Sequence, residues 1–173
     1  MKRTGSVTGA ILITAILAVR FAVLAEGNHG KEDAALTQAL QSAQLPLEGG
    51  LSASLREGTP ISAKYEMDKG TIQLSVYTVK DGTFSEVIVD HATGNVGKSD
   101  TITDNDDLAA ARSQNAAMEK AKRSLEAATA ETVKIHSGYR AVSVVPVLKD
   151  GRPVAEVTLL NGTEWKTVSA TLD

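Results

Sequence analysis

The chain has 173 residues, 42% of them hydrophobic and 23% charged, with a formal charge of −3. This is ordinary globular composition with length for one domain or two small ones, and the acidic balance argues against a nucleic-acid footprint, which needs a basic excess. The absence of cysteine excludes disulfides, thiolate metal sites, a Cys nucleophile and a lipid anchor on Cys.

The N-terminus has the layout of an export signal. Met1-Lys2-Arg3 is basic, residues 7–19 are apolar apart from small residues and Thr, and Val23 and Ala25 stand at −3 and −1 of a cleavage point after Ala25. An uncleaved anchor is the rival, because residues 6–25 come near the length of about twenty that spans a bilayer. Arg20 would then be costly inside the span. Without the segment's basic residues, 15 would face 21 acidic ones, a net of −6. Either way the folded part is expected outside the cytoplasmic membrane, periplasmic or extracellular.

Residues 26–30 read as a polar linker. A helix is expected over 31–44, with Leu36, Leu40, Ala43 and Leu47 on one stripe, ended by Pro46 and the Gly49-Gly50 pair. Residues 51–60 read as a loop or single helical turn, and 61–67 as a strand turned by Asp68-Lys69-Gly70. The next strand carries Ile72, Leu74 and Val76 on one face, and Val87 and Val89 share a face beyond the Lys80-Asp81-Gly82 turn. Asp90 to Gly94 reads as a further turn, with Asp90 accepting backbone N–H groups and Gly94 supplying the left-handed residue. The result is a three-stranded meander.

Residues 97–107 read as an acidic linker that becomes a helix cap, with Asp104, Asn105 and Asp106 as acceptors. A single helix is expected over 107–129, its apolar stripe formed by Leu108, Ala111, Met118, Ala121, Leu125 and Ala128. Strands are expected at 132–136 and 139–148 around Ser137-Gly138, then at 154–160 and 165–172 around Asn161-Gly162. Lys80-Asp81-Gly82 recurs as Lys149-Asp150-Gly151, and Glu86-Val87 as Glu156-Val157, an offset of 69 to 70 residues that reads as a degenerate internal duplication. Each half would bury its helix stripe on one sheet face, an α+β arrangement.

Val76-Tyr77-Thr78-Val79, a turn, and a strand ending in Asp90-His91-Ala92-Thr93-Gly94 follow the V-Y-x-V and D-x-x-T-G pattern and resemble the PepSY domain family. The likeness covers 31–96 well. The second half, 108–173, matches in element order and in its Lys-Asp-Gly turn, but has Leu160-Asn161-Gly162 where the family has its acidic turn. The resemblance implies two helix-plus-antiparallel-meander units of PepSY or cystatin-like type, over 31–98 and 104–173. It implies a small, non-catalytic exported module that binds or restrains a peptidase or another envelope partner. The family has no known catalytic residues to carry over, so Asp90, Thr93 and Gly94 transfer as structural turn positions.

Other chemistry finds weaker support. His29, His91 and His136 fall in a linker, a turn and a strand end, without metal-ligand spacing. Ser, His and Asp are present without a nucleophile elbow. Glu156 and Glu164 would face each other only if a hairpin aligned them, and solvated strand positions explain them better. Asp104, Asp106 and Asp107 lack the calcium-loop glycine and glutamate in register, and capping explains them. Lys120, Lys122 and Arg123 read as a solvated helix face. Trp165, with Tyr77, is the candidate partner contact, and Tyr139 reads as a sheet anchor. No metal, cofactor or turnover is expected. The alternatives are an envelope enzyme or small-ligand carrier using the concavity between helix and sheet, or a membrane-anchored envelope scaffold.

Overall fold

Val, Ile, Tyr and Thr alternate with polar residues in two stretches of the chain, and Gly-containing turns fold these stretches into hairpins. The computed structural model describes residues 29–173, with side chains from Ala34 onward. The segment read as a signal lies outside the described residues. The element order is α1 (His29–Ala39), α2 (Leu47–Ala53), β1 (Thr59–Asp68), β2 (Thr71–Lys80), β3 (Thr83–Val89), β4 (Val96–Thr101), α3 (Asn105–Met118), α4 (Leu125–Ile135), β5 (Arg140–Lys149), β6 (Arg152–Asn161) and β7 (Glu164–Thr171), with 3-10 turns at Leu40–Ser42 and Ser54–Arg56. All seven strands make one antiparallel sheet in the order β4-β3-β2-β1-β5-β6-β7. The fold is α+β.

One sheet face carries the larger core. Leu74, Val76, Val87 and Val89 from the first strands meet Val144, Ala155, Val157 and Leu159 from the later ones, under Leu40, Leu47 and Leu51 of the first helices and Leu125 and Ala128 of α4. The core is therefore continuous across β1 and β5. α3 crosses the opposite face, where Leu108 and Ala111 pack with Ile61, Tyr77, Val79 and Phe84.

Three hairpins close through two-residue turns whose central residues both have positive φ: Lys69-Gly70, Asp81-Gly82 and Asp150-Gly151. That is the type I′ geometry, whose twist matches the strands.

The strands recur at a constant interval. Thr59 and Arg140, Thr71 and Arg152, and Thr83 and Glu164 each open a strand 81 residues after its counterpart. β1 bulges at Ile61 and β5 bulges at Val142, again 81 apart. Ala63 pairs with Val144 where β1 meets β5, so a residue there faces its own counterpart. The recurring Lys-Asp-Gly turns do not follow this interval, since one joins β2 to β3 and the other β5 to β6.

Several expected elements are revised. Gly49 and Gly50 lie inside α2. A Cβ on Gly50 would sit 2.6 Å from Leu74 Cδ2, so glycine here lets the helix approach the sheet. The acidic linker holds β4, exposed at every residue and formed by backbone pairing with β3. The single helix expected over 107–129 is two. Lys122 and Arg123 donate their amides to the Leu172 carbonyl at 2.7 and 3.1 Å, and Ser124 caps α4 through Ala127 N at 3.1 Å. Lys120, Lys122 and Arg123 thus lie in the break, with Arg123 paired to Glu131. The strand expected at 132–136 is the end of α4, where Thr132 Oγ1 donates to the Ala128 carbonyl. Its β-branched residues favour a strand by propensity, and burial of Thr129 and Thr132 in the packed helix overrides that preference.

Candidate functional site

Period-two alternation that buries Leu74 and Val76 on one face puts Gln73, Ser75 and Tyr77 on the other. Lys64 and Glu66 of β1 and Glu86 of β3 join them there by register, since Ser75 faces Lys64, Gln73 faces Glu66 and Tyr77 faces Glu86 across the ladders. The polar groups are tied together. Glu66 accepts from Lys64 Nζ at 2.7 Å and from Ser75 Oγ at 2.7 Å, and Ser75 accepts from Gln73 Nε2 at 2.9 Å. Tyr77 donates its hydroxyl to Glu86 at 3.2 Å, and the Lys64 ammonium stands 5.6 Å from the Tyr77 ring centre.

The N-terminal half of α3 forms the wall beside this strip. Asp104 caps the helix through the amides of Asp106 and Asp107 at 2.9 and 3.3 Å, and Ser62 Oγ donates to Gln114 Oε1 at 2.8 Å. A cleft of about 120 Å³ lies between helix and sheet, lined by Ser62, Lys64, Tyr77, Asp107, Gln114 and their neighbours. Burial raises the Tyr77 hydroxyl pKa, and Glu86 and Glu66 add to it. Burial also raises Asp107, with Asp104 adding repulsion. Ser75 is fully buried and the Lys64 and Glu66 side chains are 16% and 15% exposed, so these polar groups are satisfied largely by one another.

The positions named from the sequence are scattered. Tyr77 belongs to this cleft. Trp165 lies on β7, separated from β2 by β1, β5 and β6. Its ring is half-buried against the core, and its Nε1 donates to Thr37 of α1 at 3.2 Å. Trp165 therefore anchors α1 to the sheet rather than standing free as a partner contact. Asp90, Thr93 and Gly94 form the β3–β4 turn: Asp90 Oδ1 accepts from Ala92 and Thr93 amides at 2.8 Å each, and Gly94 has φ 77°. The amides of Thr93 and Ala92 hold the Asp90 carboxyl below its usual pKa.

His91 lies in that turn, where its carbonyl accepts from Gln44 and Leu45, while His136 caps α4 and His29 falls in α1. Among the described residues no three His, Asp or Glu converge on a metal position. Glu156 stands opposite Ser169 and pairs with Lys149, so it does not face Glu164. An open groove of about 570 Å³ runs between the β1–β2 and β3–β4 turns, bordered by Asp68, Lys69, Gln73 and His91.

In the sequence Glu86 stands out only through the Glu86-Val87 repeat, and Lys64, Glu66 and Ser75 belong to no motif. Their signal was present, since each alternates with an apolar core position. That α3 would come to lie beside them depends on the long-range packing of Ala111 on Ile61 and Phe84. In the comparisons with known proteins, no family model, curated protein or solved structure matches the chain.

Proposed function

We propose that the chain is an exported, non-catalytic binding module of two PepSY-like units, holding a protein or peptide partner of the cell envelope against the polar face of its sheet. The constant 81-residue interval of strands and bulges supports two units, each with paired helices before a meander. The D-x-x-T-G turn supports the family likeness through its Asp90 bonds.

The observation that carries binding is the strip from Lys64 to Glu86. Its side chains are held by one another in a fixed pattern beside a cleft, a preorganised surface that costs little to order on association. A photo-crosslinking residue at Tyr77 in the exported protein should capture one discrete partner. The same residue at the exposed Leu55 should not. Glu66→Lys should abolish capture at position 77. Equal capture at both positions, or none at 77, rejects the site.

A second reading, a small-ligand carrier, is favoured by the 570 Å³ groove, which falls in the size range of small-molecule sites. A small ligand that raises Tm, with the shift lost in Lys69→Glu, would establish it.

A further inference from the structure

The sheet ends at β4, and the backbone there has a definite outward side. Ser85 pairs with Thr101 and Ile88 with Lys98, while the Ile102 amide donates to the Phe84 carbonyl at 2.9 Å. Main-chain groups alternate inward and outward along an antiparallel strand, so Lys98, Asp100 and Ile102 turn theirs toward β3. Ser99 and Thr101 present their N–H and C=O groups away from the sheet, and Gly97 is the extra residue of a bulge opposite Ile88 and Val89. All six residues of β4 are exposed, and among the described residues no strand lies beyond it.

Charge on this edge is patterned. Lys98 and Asp100 flank Ser99 on the same face and form an exposed ion pair with each other. An edge bearing a single sign of charge repels its own copy. This one does the reverse when a second β4 runs antiparallel to it about Ser99. Ser99 then meets Ser99 as the hydrogen-bonded pair, and each Thr101 comes opposite the other copy's bulge at Gly97, which ends the pairing there. Lys98 faces Asp100 twice, in the closer, non-hydrogen-bonded positions.

We propose that β4 is a self-recognition edge through which two copies join by two-fold antiparallel pairing about Ser99, making one continuous sheet across the dimer. Such a contact closes on itself and leaves no further edge of the same kind. The opposite edge is different: at β7 the Trp165 indole is engaged by Thr37, and Glu164 lies at the end of the strand.

The test is the mass of the full chain in solution, measured by light scattering over a concentration series. The wild type should pass from monomer to dimer as concentration rises. Lys98→Asp places Asp opposite Asp twice, and Asp100→Lys places Lys opposite Lys, so each should weaken the dimer on the order of tenfold or more. The double swap Lys98→Asp with Asp100→Lys restores opposite charges and should restore the dimer. An equimolar mixture of the two single variants should form the mixed dimer in preference to either homodimer. Ser99→Pro removes an outward N–H without touching the β3 ladder and should abolish association while the monomer stays folded by circular dichroism. Lys166→Asp, on the β7 edge, should change nothing. A chain that stays monomeric at every concentration overturns the proposal. So does a dimer indifferent to the charge variants, or one lost in Lys166→Asp.

Discussion

Gly50 shows how a residue can be seen in a sequence and assigned the wrong role. Beside Gly49 and after Pro46 it has the signature of a helix stop, yet it lies within α2 against the fully buried Leu74. Gly50→Ala should cost about 1–3 kcal/mol by forcing a methyl into that contact, read as a lower urea midpoint at unchanged m-value. Tyr65 gives a prediction in pH. Its hydroxyl donates to the Leu45 carbonyl at 2.5 Å, and burial, with help from Glu48, raises its pKa to about 12 against the opposing pull of Arg140. The folded state thus holds this proton more tightly than the unfolded one. The stability it brings is complete below the unfolded tyrosine value near 10 and is lost as pH rises through about 12. Tyr65→Phe should flatten the fall in Tm across that window, and an unchanged slope would assign the loss to other groups. Asp90, by contrast, was legible because an Asx turn is written in consecutive residues.

Among the elements, alternating strands and glycine turns could be read directly, since their signals are local. The failures share one cause, which is that the deciding partner lies far along the chain. The stripe from Leu108 to Ala128 runs unbroken through Ala121 in sequence, but the Leu172 carbonyl captures two amides in between and the helix divides there. Ser124 then restarts it, and Ser124→Ala should cost about 1 kcal/mol through loss of the N-cap, measured by chemical denaturation. β4 gave no alternation to read because neither of its faces is buried, and only β3 makes it a strand. The converse case is Val89, 1% exposed at the centre of the core. Val89→Asp buries an unpaired charge there and should leave the chain unfolded at room temperature by circular dichroism.

For the whole molecule, composition and element order were enough for an α+β class, but not for one sheet whose larger core runs through both halves. The meander at 59–89 and the meander at 140–171 each left an open edge at its first strand, and β1 and β5 pair there through Ala63 and Val144. Unfolding should accordingly be a single transition, with calorimetric and van't Hoff enthalpies equal. Two resolved peaks would mean separable domains.

The pairing of Ala63 with Val144 also bears on what happens when the covalent link is cut. A protease site placed at 102–104, between β4 and α3, severs the chain without breaking any strand of the sheet. The fragment before the cut and the fragment after it should each be unstructured alone and fold on mixing, with a midpoint set by their concentration. Fused to the two parts of a divided enzyme, they would report their reunion as restored activity.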